Sequence, residues 1–142
     1  MVNKSGTIPL LIHHTDAIVQ ITLRRPAVAN RIQPNDLQIL QDFLMECEAV
    51  KASRVLILAS QGKYFSAGFD LGALDARVKP VKKGERKSDF ERFVDAWEKT
   101  PLVTIAAIQG PVFGGSTDLA LASDFRIGTP EYPAGSPVAG SA

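Results

Sequence analysis

Val103-Thr104-Ile105-Ala106-Ala107-Ile108-Gln109-Gly110-Pro111-Val112-Phe113-Gly114-Gly115-Ser116-Thr117-Asp118-Leu119-Ala120-Leu121-Ala122 reads as a strand, a glycine turn and a helix in one unbroken passage. Residues Val103 to Ile108 are apolar or β-branched, with the length and composition of a strand buried within a sheet. The chain then turns through Gly110 to Gly114. A helix is expected from near Gly115 through Ala122, and Phe125-Arg126-Ile127 follows as a short strand. The same order occurs upstream, where the apolar run Val55-Leu56-Ile57-Leu58-Ala59 leads to the small-residue turn Phe65-Ser66-Ala67-Gly68-Phe69-Asp70-Leu71.

The rest of the chain supplies the connecting elements. Ala17 to Arg24 is rich in β-branched residues and stops at Pro26, so it reads as a further strand. From Pro34 to about Lys51 the period lengthens: Leu37, Leu40, Leu44 and Cys47 share one helical face, while Asp36, Gln41, Glu46 and Glu48 fall elsewhere. Pro34 suits the first turn of that helix. Ser88 to about Thr100 is helical again through Phe90, Phe93, Val94 and Trp97, until Pro101 breaks it. Strands alternating with helices require crossover connections, which implies an α/β fold with a mostly parallel sheet.

Composition narrows the function. A chain of 142 residues, 45% hydrophobic and 22% charged, suits one domain with its own core. Sixteen basic against fifteen acidic residues give no global field to attract nucleic acid or an anionic membrane. Cys47 is the only cysteine, which excludes an intrachain disulfide or a cysteine-based metal cluster. His13 and His14 precede the first expected strand, away from both turns, and read as surface residues; no metal site is expected. With no apolar leader and no long apolar run, a soluble, cytoplasmic protein is expected. No Walker-type or G-x-G-x-x-G pattern supports nucleotide hydrolysis or dinucleotide binding.

Two segments stand apart. Arg77, Lys79, Lys82, Lys83, Arg86 and Lys87 meet a single acid, Glu85, in what reads as a mobile, solvated loop, and it lacks the interleaved aromatics of a nucleic-acid surface. Tyr132 to Ala142 has no charge and no period, and is expected to be disordered.

The two turns are where chemistry is expected. Strand ends carrying small residues can aim two backbone N–H groups at one oxygen, the arrangement that stabilises an enolate or another oxyanion. The second turn also opens a helix, whose first N–H groups lack intrahelical partners and sit at the positive end of its dipole. Gly114-Gly115 alone also fits a plain chain reversal or a close neighbour. Asp118 fits either a carboxylate that handles a proton or a plain complement to the helix N-terminus. Asp124, six positions further on, cannot share a helical face with it and reads as closing the helix.

Ile21 to Pro26 with Asn30, Gly62 to Leu71, Pro101 to Gly110 with Gly114 to Ala120, and Ser123 to Ile127 together resemble the enoyl-CoA hydratase/isomerase (crotonase) family. The likeness runs in order over about Ile12 to Glu131. It implies a crotonase-like (ClpP/crotonase) spiral of ββα units, here truncated to its N-terminal half. An N-terminal extension would occupy residues 1–11, the core residues 12–131, and a low-complexity tail residues 132–142.

The resemblance also implies a site. Backbone N–H groups of Ala67 and Gly115 would form the oxyanion hole for the thioester carbonyl of an acyl-CoA. Ala67, Gly68, Phe69, Asp70 and Gly115 would line the substrate site, and the basic loop would lie near the phosphates of the ligand. No separate cofactor is implied, because the coenzyme A thioester is itself the substrate. Asp118 falls where many hydratases of the family carry a glutamate, and would be the catalytic acid or base. The partner expected is an acyl-CoA or enoyl-CoA; nucleic acid and membrane are not expected. Family members form homo-oligomers, whereas a truncated chain lacks the helices that build them. Two functions remain open: an enzyme of the enoyl-CoA hydratase/isomerase type, and a catalytically inactive fragment that associates with a longer homologue.

Overall fold

Strands β1 (Leu10–His13), β2 (Ile18–Leu23), β3 (Val55–Ser60), β4 (Val103–Ile108) and β5 (Phe125–Gly128) lie side by side in chain order in one sheet. The computed structural model describes residues 7–69 and 87–132. β1 runs antiparallel to β2, and every later pair is parallel. Helices α1 (Pro34–Ala49), α2 (Asp89–Lys99) and α3 (Gly115–Ala122) are the crossovers. Because such crossovers are right-handed, sequential strand order brings all three helices to one face of the sheet. The family-like α/β arrangement expected from the sequence is the one observed.

Strand alternation decides what each face does. Val19, Leu56 and Thr104 lie in register across β2, β3 and β4, as do Ile21, Leu58 and Ala106, and all six are buried beneath the helices. From the helix side come Leu37, Leu40, Leu44 and Cys47 of α1, Phe90, Phe93 and Trp97 of α2, and Leu119 and Ala120 of α3. Trp97 is fully enclosed, and its indole N–H donates to Ser123 Oγ at 2.9 Å. The opposite face is open and apolar at the end of the sheet: Val103 is 40% exposed, Phe125 59% and Ile127 58%.

Local chemistry fixes the helix starts. Ser88 Oγ accepts the Glu91 N–H while the Glu91 carboxylate accepts the Ser88 N–H, a reciprocal cap at α2. Ser88→Ala is therefore expected to cost about 1 kcal/mol, read as a lowered urea midpoint with unchanged m-value.

Three expectations change. β1 was not foreseen, and it places Leu10 and Leu11 in the sheet and not in an extension; four residues are too few to show a period. Asp36, expected to face away from the core, is 3% exposed. It caps α1 by accepting the Gln33 N–H at 2.8 Å, and it pairs with Arg25 through two hydrogen bonds of 2.6 and 3.1 Å. A partner eleven residues away carries no helical period. Tyr132, assigned to the tail, exchanges backbone hydrogen bonds with Thr129 and packs against the core.

Of the basic segment only Lys87 is described, and it pairs with Asp95 of α2, which holds the Asp95 carboxyl below its ordinary range. The rest of that segment, Asp70, and the tail beyond Tyr132 lie outside the described residues. Burial, reinforced by Glu46 and Glu48, pushes the Cys47 thiol up, so it packs as an apolar group. His13 and His14 are exposed, as expected. Among the described residues no helix is long and apolar enough to cross a membrane.

Candidate functional site

The turn after β3 and the turn after β4 pack directly against each other. Phe65 N–H donates to Pro111 O and Phe113 N–H to Ser66 O, each at 3.0 Å, so the two segments continue the parallel pairing beyond the strands. Gly68 has φ +93°, and a methyl group there would come within 2.7 Å of Phe113 O and 3.1 Å of Gly115 N. Only glycine reconciles that conformation with that approach. Gly68→Ala is expected to cost about 1–3 kcal/mol in stability through backbone strain and the forced separation of the turns. Chemical denaturation measures it, and an unchanged midpoint would contradict the contact.

A third segment, the loop after β2, holds the first turn from the other side. Asn30 is 1% exposed, its Oδ1 accepts the Arg25 N–H at 2.9 Å, and its Nδ2 donates to Gln61 O and Tyr64 O at 2.6 and 2.8 Å. Asn30 and Ala29 both have φ near +55°. This brings Ala29 O to within 2.7 Å of the Ala67 nitrogen, which donates to it. The N–H of Ala67, the expected oxyanion donor, is therefore taken up inside the fold.

The next peptide groups are tied differently. Gly68 N–H donates to Ser66 Oγ at 3.1 Å, and Gly68 O accepts the Ile32 N–H at 2.9 Å. Since the peptide is planar and trans, a carbonyl of Gly68 aimed at Ile32 turns the N–H of Phe69 the opposite way. That N–H donates to no acceptor among the described residues. At the start of α3, Ser116 N–H returns to Phe113 O and Thr117 N–H to Gly114 O. Gly115 N–H donates to none among the described residues, as befits the first helical residue. Among the described residues, Phe69 and Gly115 are thus two open donors where the turns meet, the second of them at the positive end of the helix.

Aromatic side chains wall this corner. Phe69 and Phe90 stack with centroids 5.3 Å apart, and a Cβ on Gly115 would stand 2.7 Å from Phe90 Cε1. Asp118 is exposed and lies one turn beyond Gly115, on the same side of α3. Asp124 sits past the helix end, where its carboxylate accepts the Thr104 N–H at 2.9 Å. It closes α3 onto β4 and takes no part in the corner. Phe90 meets the site only through tertiary packing; Ser66 and Ser116 stand within the turns themselves, but their bonds to Asn30 O and Ser66 O join segments distant in the chain and leave no local pattern.

A sheet with all crossovers on one face, and two strand-end turns meeting at a helix N-terminus, defines a crotonase-type α/β protein. The profile of the enoyl-CoA hydratase/isomerase family matches residues 13–132, and the chain belongs to that family. It is 36% identical over 118 residues to the enoyl-CoA isomerase/hydratase fer4 of Mycosarcoma maydis, across 78% of this chain and 43% of that protein. It is 32% identical over 126 residues to ethylmalonyl-CoA decarboxylase of Gallus gallus, across 88% and 42%. Among solved structures, enoyl-CoA hydratase from Bacillus anthracis superposes with a TM-score of 0.72 at 34% identity, across 84% of this chain and 46% of that one. The chain spans about half the length of the relatives it matches.

Proposed function

We propose that the chain binds an acyl-CoA or enoyl-CoA and holds the thioester carbonyl oxygen between the N–H groups of Phe69 and Gly115. The observation that carries this reading is the pair of open backbone donors on two turns packed together, one of them heading a helix. When a proton leaves the α-carbon of the thioester, or water adds to the β-carbon of its enoyl form, charge develops on the carbonyl oxygen as an enolate. Two fixed N–H donors stabilise that charge without reorganising, each worth about 2.7–4 kcal/mol. The thioester carbonyl is the electron sink, so the step asks for no prosthetic group. Family membership and relatives named for acyl-CoA reactions support the substrate class.

Asp118 is the group on this face that can take or deliver a proton or orient water. Gly68 and Phe69 lie along the acyl-CoA, with Phe69 against its reacting end. The setting is cytoplasmic, with soluble coenzyme A thioesters as ligands. Incubation with a short enoyl-CoA, followed by loss of the conjugated thioester absorbance, tests the reading. Turnover supports the enzyme. Tight binding without turnover supports the binding fragment, and the exposure of Asp118 to solvent is what favours that second reading. Absence of binding would sink both.

A further inference from the structure

Ser66 and Ser116 are each fully buried at the seam between the two turns. Ser66 Oγ donates to Asn30 O at 2.8 Å and accepts the Gly68 N–H at 3.1 Å. One hydroxyl thus ties the loop after β2 to the peptide immediately before the one that carries the Phe69 N–H. Ser116 Oγ lies 3.0 Å from Ser66 O and 2.5 Å from Phe113 O, and its single proton is shared between those two carbonyls. Ser66 O also accepts the Phe113 N–H at 3.0 Å. The second turn therefore grips the first at Ser66, and it does so from Ser116, the residue directly after Gly115.

We propose that Ser66 and Ser116 are positioning residues whose hydroxyls fix the separation and pitch of the Phe69 and Gly115 N–H donors; this rests on the oxyanion reading above. Neither hydroxyl touches the ligand. Ser66 sets the plane of the Ala67–Gly68 peptide, and the Gly68 carbonyl bond to Ile32 then orients the Phe69 donor. Ser116 keeps the helix start, and with it the Gly115 donor, at a constant distance from the first turn. Without either hydroxyl the turns still pack, because the Phe65 to Pro111 and Phe113 to Ser66 backbone bonds remain, but the donors lose their common aim.

The test is the infrared carbonyl band of an acyl-CoA isotopically labelled at the thioester carbonyl, bound to the full chain, in the parent and in Ser66→Ala, Ser116→Ala and Ser123→Ala. Ser123 is a third buried serine hydroxyl, bonded to Trp97 and to Leu119 O, and serves as the control for general loosening. The parent is expected to shift the band to lower frequency on binding. Ser66→Ala and Ser116→Ala are each expected to lose about half of that shift or more, while the dissociation constant changes by less than about threefold. Ser123→Ala is expected to keep the whole shift. If Ser66→Ala does not fold, Ser116→Ala decides alone, since its loss leaves both carbonyls with other environments to relax into. A parent band that does not move overturns the oxyanion reading and this proposal with it. A parent shift retained in both variants, or lost equally in Ser123→Ala, overturns only the positioning role.

Discussion

Gly115→Pro is expected to lower turnover of an enoyl-CoA by a factor of about 10²–10³, the cost of losing one oxyanion donor. Proline removes the N–H and is tolerated at the first helical position, so α3 should still form. Its Cβ would approach the Phe90 ring, 2.7 Å from Cε1, and that alone disturbs the stacking on Phe69. Gly115→Ala carries the same Cβ and keeps the N–H. The difference between the two variants therefore isolates the donor. If they lose activity equally, the effect belongs to Phe90 and the Gly115 N–H is not a catalytic group.

Asp118→Asn is expected to reduce turnover by a factor of about 10²–10⁴, the usual contribution of a positioned acid or base. Its effect on stability should stay within about 0.5 kcal/mol, because the side chain is exposed and makes no ion pair among the described residues. The contrast is diagnostic. A carboxylate that merely complements the α3 dipole contributes about 0.3–1 kcal/mol to stability and nothing to rate. Asp118→Asn that melts lower but turns over normally would assign Asp118 to the helix. Asp118→Glu, which extends the carboxylate by one methylene toward the form common in the family's hydratases, should favour hydration of the enoyl thioester over other outcomes.

The sequence was most legible where one principle acted alone. β4 begins and ends where the apolar run does, and α3 spans the residues read as helical from Gly115 to Ala122. α1 buries the four residues whose spacing put them on one face, Leu37, Leu40, Leu44 and Cys47. What escaped depends on partners distant in the chain. Asp36 is buried because Arg25 reaches it, β1 exists because β2 offers an edge, and neither leaves a local pattern.

The candidate site follows the same division. That two small-residue turns meet was readable from their matching positions at strand ends. Which N–H of the first turn remains open was not. It depends on Ala29 O capturing Ala67 N–H and on Ile32 capturing Gly68 O, contacts made by a loop more than thirty residues earlier. The N–H of Ala67 is engaged and that of Phe69, two residues along, is not, for reasons that only the folded backbone supplies.

Whether the Phe69 and Gly115 N–H groups grip a thioester oxygen is read from the carbon NMR resonance of an acyl-CoA isotopically labelled at the thioester carbonyl and bound to the chain. Two hydrogen bonds to the carbonyl oxygen polarise it, so a downfield displacement is expected on binding that Gly115→Pro largely removes and Gly115→Ala largely retains. A ligand shown to be bound, whose carbonyl resonance stays where it lies in water, would mean that these two N–H groups do not hold the thioester oxygen.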